Sequence, residues 1–296
     1  MSDVVSAFLL TAGLVAEATG GQLISGDPGR VFDAISTDSR TLMPVPASAR
    51  GAGTLFIALS GPTFDGHTFL PDAIAKGVAG VLAPISPVIV THAAVIVVSD
   101  PLVALQRLGH EVRRRSHARV VAITGSAGKT TTKEATAACL APRYRVFSSV
   151  GNLNNHIGLP LSLLELRHGA DVGVVELGMN HAGEISTLVA LAEPDVRVWT
   201  NVGDAHIGHF GSADAIADAK AELLEGAGAA TIVVANADDA RVMQHVSRCP
   251  ATVRTFGFQA DADVRAAQFE DRGFDGTRTS VTTPWGALSL ELALAG

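Results

Sequence analysis

The residues able to do chemistry in this sequence gather where apolar runs stop. Val120-Val121-Ala122-Ile123 leads into Thr124-Gly125-Ser126-Ala127-Gly128-Lys129-Thr130-Thr131, and a helical stretch, Lys133 to Leu140, follows. Small residues let backbone N–H groups close around phosphate oxygens. Lys129 brings a mobile positive charge, Thr130 a hydroxyl for Mg²⁺, and the helix start a favourable dipole. The stretch reads as a phosphate-binding loop. It departs from the general pattern at one place, with Ile123 where glycine is usual, so it is the compact T-G-x-x-G-K-T-T form.

Other polar residues follow the same rule. Val172 to Val175 runs into Glu176, where a carboxylate can hold the Mg²⁺ that bridges nucleotide phosphates. Val196 to Thr200 opens onto Asn201-Val202-Gly203-Asp204-Ala205-His206, followed by Ile207-Gly208-His209. On that Gly-rich loop His206 reads as a ligand and His209 as structural. Lys220, on a helical stretch, is by residue type alone an ordinary surface lysine. Asn152, Asn154 and Asn155 stand between Gly151 and Gly158 and fit either a plain turn or amides facing a polar ligand. Asn236 opens a similar segment, with the turn reading ahead.

The elements that must position these groups alternate along the chain. An N-terminal helix over residues 4–19 stops at Gly20-Gly21. Short strands follow at Val31 to Ile35, Thr54 to Leu59, Val78 to Ala83 and Ala94 to Val98, with a helix from His67 to Lys76. This small α/β unit ends near Ser99. Pro101 starts a helix through Arg115 that leads into a second domain, so the boundaries expected are 1–99 and 100–296. From Val120 near-continuous apolar strands alternate with helices, the pattern of a doubly wound, mostly parallel sheet. There ligands sit at the carboxyl ends of the strands. After about residue 252 four short strands, Thr252 to Phe258, Asp263 to Phe269, Thr279 to Thr283 and Ala287 to Leu294, are expected to form an antiparallel flank.

Composition narrows the partners. A formal charge of −7 argues against a nucleic acid or an acidic membrane surface, so phosphate must be bound locally. Hydrophobic residues make up 47% and aromatics only 5%, which implies a core of Ala, Val, Leu and Ile. Cys139 and Cys249 are too few for a disulfide framework or a cysteine zinc site. No apolar run is long enough to span a membrane, and the start lacks a basic signal region, so a cytoplasmic protein is expected.

Taken together, T-G-S-A-G-K-T-T, N-L-N-N-H-I-G-L-P, V-V-E-L-G-M-N-H-A-G-E-I and T-N-V-G-D-A-H-I-G-H-F-G-S resemble the Mur ligases, ATP-dependent amide-forming enzymes of peptidoglycan precursor synthesis. The resemblance implies UDP-N-acetylmuramoyl-tripeptide and D-alanyl-D-alanine as substrates, with ATP and two Mg²⁺ ions as cofactors. It assigns ATP to the 124–131 loop, Asn154, Asn155 and Asn236, and catalysis to Lys129, His206 and Lys220. One metal falls to Thr130 and Glu176, the second to His206 and a carbamylated Lys220. Ser36-Thr37-Asp38-Ser39-Arg40 with Phe64, Asp65 and His67 look like the family's UDP-substrate module. Family members continue into a third domain that closes over ATP. From these residues alone the resemblance therefore implies UDP-substrate binding, weak ATP binding, deficient ligation and a monomer. A folylpolyglutamate-type ligase and a non-catalytic P-loop module are the alternatives.

Overall fold

The computed structural model describes residues 7–44, 53–61, 64–85, 92–205, 207–259 and 261–293. In chain order the elements are β1 (Leu10–Thr11), α1 (Ala12–Thr19), β2 (Gln22–Ser25), β3 (Val31–Ser36), β4 (Gly53–Ile57), β5 (Ser60–Gly61), β6 (Phe64–Asp65), α2 (Leu70–Ala75), β7 (Gly80–Ala83), β8 (Ala94–Val97) and α3 (Pro101–Ser116). There follow β9 (Arg119–Thr124), α4 (Lys129–Leu140), β10 (Val146–Ser148), α5 (Gly158–Leu164), β11 (Val172–Glu176), α6 (Glu184–Ala192), β12 (Val196–Trp199), α7 (Ile207–Phe210) and α8 (Ala213–Ala221). The last are β13 (Ile232–Asn236), α9 (Ala240–Val246), β14 (Thr252–Gly257), β15 (Val264–Asp271), β16 (Thr277–Thr283) and β17 (Gly286–Leu292).

The chain divides into two compact units, residues 1–118 with 143–173, and residues 119–142 with 174–296. In the first, six strands run in the order β1-β3-β4-β7-β8-β2. The inner strands are parallel and the two edges antiparallel. Leu70 and Ala73 of α2 are buried together with Phe56, Val81 and Val95 of the sheet. The N-terminal helix is shorter than the sequence pattern suggests. Thr11 caps it by accepting from Leu14 N, and Leu10–Thr11 pair with β3 instead of continuing the helix.

Gly66 shows how tightly a loop of this unit is held. Its N–H donates to Leu59 O, and a Cβ there would stand 2.8 Å from both Ala58 C and Leu59 N. Backbone cannot yield as a side chain can. Gly66→Ala is expected to cost about 3 kcal/mol, read as a lower urea midpoint with unchanged m-value.

In the second unit the strands run β11-β9-β12-β13-β14-β15-β16-β17. The pairs β9–β12, β12–β13 and β13–β14 are parallel and well matched in register. Ala122, Ile123, Val174, Val175, Trp199, Val233 and Ala235 supply its interior. The mostly parallel α/β class holds, but the antiparallel flank begins later than residue 252. β14 is parallel to β13, and β15 is parallel to β14 through Phe256↔Val264 and Gly257↔Arg265. Those strands overlap only at these residues. Asp263 ties the start of β15 to β14 by accepting from Thr255 N at 2.9 Å. The pairs β15–β16 and β16–β17 are antiparallel. Among the described residues no helix is long and apolar enough to cross a membrane.

Candidate functional site

The phosphate loop leaves β9, whose last residue, Thr124, is buried and donates its hydroxyl to Leu177 O at 2.9 Å. Gly125 is required by space, since a Cβ there would run into Thr200 Oγ1. Gly128 has φ 77° and precedes α4 without a side-chain cap, with nothing within 4 Å of the position a Cβ would take. The first amides of α4 therefore have no internal acceptor, which is the donor arrangement an anion requires. Lys129 Nζ folds back onto Gly125 O at 2.9 Å, while Thr130 and Thr131 are exposed on the first turn.

What fixes this loop is the segment after β12. Thr200 Oγ1 donates to Ala127 O at 2.7 Å, and Asn201 meets Ala127 from both sides, its Oδ1 accepting from Ala127 N at 2.9 Å and its Nδ2 donating to Ala127 O at 3.2 Å. Ser126 completes the tie by donating its backbone N–H to Asn201 O and its hydroxyl to Gly203 O, each at 3.1 Å. That segment is braced in turn. Asp239 accepts from Val202 N at 2.7 Å while capping α9, and Asn236 donates to Thr200 O at 2.9 Å and accepts from Asp238 N. The amide of Asn236 thus meets protein backbone at both ends. Neither Thr200 nor Asn201 was singled out by residue type. The signal that could have found them is position, a polar pair at a strand end next to the loop strand.

Glu176 ends β11, is 2% exposed, and has no hydrogen-bond partner for Oε1 among the described residues. A buried carboxylate oxygen left open in this way suits a cation. Lys220, on α8, is also 2% exposed, so it is not the surface lysine that its residue type suggested. Burial, with the charge of Lys129 as a second cause, pushes its pKa down to about 8. His206 lies outside the described residues. His209, on α7, stands edge-on to His181 with ring centroids 5.8 Å apart. The His181 loop is pinned by Glu184, which accepts from Asn180 N at 2.6 Å, and by Glu222, which accepts from Gly183 N at 2.6 Å. For Glu184, burial raises the carboxyl pKa, but the backbone donors Asn180 and His181 outweigh it and the net shift is downward.

The other predicted residues lie in the first unit. Asn155 Oδ1 accepts from Ile157 N and from Gly158 N at 2.8 Å, a helix-capping role, and Asn154 N donates to Asn152 O at 2.7 Å. Asp38 takes two parallel bonds from Arg40, at 2.9 Å from Nε and 2.7 Å from the second nitrogen. These bonds, with the Arg40 backbone N–H, hold its carboxyl down at about 2. Ser36 Oγ donates to Asp38 O, the Thr37 side chain enters none of these bonds, and Ser39 O accepts from Lys76 Nζ at 2.8 Å. On the next loop Asp65 accepts from Ser60 Oγ and approaches His67 Nδ1 at 2.6 Å, which with the His67 backbone donor lowers its pKa. His67 Nε2 is buried with no partner among the described residues, and Phe64 beside it is exposed. This second set is a group of hydrogen-bonded polar residues with one unpartnered imidazole nitrogen among the described residues.

The family model for the Mur ligase middle domain matches residues 123–296. The chain belongs to the Mur ligase family. Over 289 residues it is 37% identical to UDP-N-acetylmuramoyl-tripeptide--D-alanyl-D-alanine ligase of Escherichia coli, covering 97% of this chain and 61% of that protein. A crystal structure of MurF from Acinetobacter baumannii superposes with a TM-score of 0.86 at 32% identity, covering 99% of this chain and 62% of that one. MurF ligase from Thermotoga maritima in complex with ADP gives 0.76 at 28% identity, over 88% of this chain and 58% of that one. The chain thus spans about three fifths of the length of these Mur ligases.

Proposed function

We propose that this protein acts in the ATP-dependent joining of D-alanyl-D-alanine to UDP-N-acetylmuramoyl-tripeptide, the amide-forming step of peptidoglycan precursor synthesis that its relatives are named for. The observation that carries the reading is Glu176, a buried carboxylate with an open oxygen in the same unit as an uncapped Gly-Lys-Thr helix start. In the reaction a terminal carboxylate oxygen of the tripeptide takes the γ-phosphoryl group and ADP leaves. The amine nitrogen of D-alanyl-D-alanine then attacks the acyl carbon, phosphate departs, and the amine loses a proton. Open amides at the start of α4 and the Lys129 ammonium offset charge that develops on the phosphoryl oxygens. Glu176 and the Thr130 hydroxyl suit Mg²⁺, which would supply charge neutralisation at the phosphates. His206 and a carbamylated Lys220 are proposed for a second ion.

Residues 1–99 are proposed as the UDP-substrate module, with the open His67 Nε2 and the Asp38–Arg40 pair as its polar contacts, and residues 100–296 as the ATP domain. A cytoplasmic monomer fits this reading. The test is calorimetry with UDP-N-acetylmuramoyl-tripeptide and with Mg-ADP, followed by phosphate release on adding ATP and D-alanyl-D-alanine. Binding of both ligands is expected. A chain that binds nucleotide and ignores the UDP substrate would instead be a P-loop module without this activity.

A further inference from the structure

Lys133 stands on the second turn of α4, one turn beyond Lys129, and is wholly buried. It is the only buried residue of that helix. Its ammonium lies 2.9 Å from Glu134 Oε1, whose side chain is 64% exposed, and 3.7 Å from Glu176 Oε1, which is buried. The longer distance is an ion pair and not a hydrogen bond, so Glu176 Oε1 keeps its lone pairs open. Thr132, Thr136, Ala137 and Leu140 of the same helix are half-buried, so the one side chain that it covers completely is a charged one.

We propose that Lys133 is the positioning residue of Glu176. It holds the buried carboxylate turned toward the phosphate loop, and the nearer, exposed Glu134 keeps the ammonium from closing onto it. Burying one charge without its counterpart is costly, and a Glu176 carboxylate deprived of the ammonium would turn away from this position. At 3.7 Å the ammonium supplies the compensation without occupying the oxygen a cation needs. This rests on the proposed function only in naming Mg²⁺ as that cation. The ion pair itself does not depend on it.

Two measurements on Lys133→Met, Glu176→Gln and the double variant test it. The first is the ratio of ADP dissociation constants without and with Mg²⁺. Lys133→Met is expected to shrink the Mg²⁺ effect by about tenfold, Glu176→Gln to shrink it at least as much, and the double variant to lose nothing beyond Glu176→Gln. A Mg²⁺ effect that is unchanged or larger in Lys133→Met overturns the proposal, as does a further tenfold loss in the double variant. The second, thermal unfolding without nucleotide, applies whether or not the chain binds ADP. Each single variant is expected to unfold roughly 5 °C or more below wild type, and the neutral double variant less than the two shifts combined. Strictly additive shifts would show that the two side chains are not coupled. Absence of Mg²⁺-dependent binding in the wild type would sink the proposed function and leave this coupling to be decided by unfolding.

Discussion

Lys129→Met is expected to weaken Mg-ADP binding by at least tenfold and, under the proposed activity, to lower kcat/KM for amide formation by about 10²–10³, with little change in unfolding midpoint. The asymmetry follows from where the ammonium sits. Among the described residues it makes one bond, to Gly125 O at 2.9 Å, on a loop already fixed by Thr200 and Asn201. Removing it costs the fold one half-buried contact. It costs the site the one cation borne by the loop itself, where phosphoryl charge would develop. Arginine should not rescue, because a planar fork cannot follow the folded-back path of the lysine stem. Calorimetry with Mg-ADP and initial rates of phosphate release check both halves. Equal losses in stability and binding would mean that Lys129 holds the loop and does not act on the ligand.

The loop was legible because everything that defines it is local: strand, small residues, Gly-Lys-Thr, helix. Glu176 was legible for a related reason, since a charged residue closing an apolar run marks a strand end. What supports the loop was not. Asn201 reaches Ala127 only because β9 and β12 are neighbours in a register that pairs Trp199 with Thr124, and no local pattern specifies that register. Lys133 has the same history. On a helix with a mostly polar face it reads as a solvated lysine, and only the placement of β11 beside β9 buries it. In the first unit β2 escaped notice because an edge strand with one inner neighbour leaves most of Gln22–Ser25 exposed, without an apolar alternation to betray it. The antiparallel flank was placed too early because β14 is as short as a hairpin strand. Its pairing to β13, five residues in parallel register, is a long-range fact.

Lys220 is where sequence and structure differ most, and it carries the other large expectation. A buried amine with a pKa near 8 is neutral at pH 7.5 on the order of 10² times more often than an ordinary lysine. That is the form whose nitrogen can attack CO₂, giving a carbamate and releasing a proton. In ¹³C-bicarbonate, wild type is expected to show a carbamate resonance that Lys220→Ala lacks, and Lys220→Ala to lose about 10²–10³ in rate, partly restored by short carboxylates. Stability supplies an independent check in CO₂-free buffer. The folded pKa is about 8 and the unfolded one near 10.5, so between those values the unfolded chain binds more protons and stability rises with pH. Below pH 8 the lysine is charged in both states and contributes a constant penalty of about 3 kcal/mol relative to pH above 10.5. Lys220→Met should remove this rise from the difference curve against wild type. Lys129→Met should move its onset to higher pH, because the Lys129 charge is the second cause of the depression. Identical pH profiles for wild type and Lys220→Met, with no labelled carbamate, would leave Lys220 as a buried structural lysine.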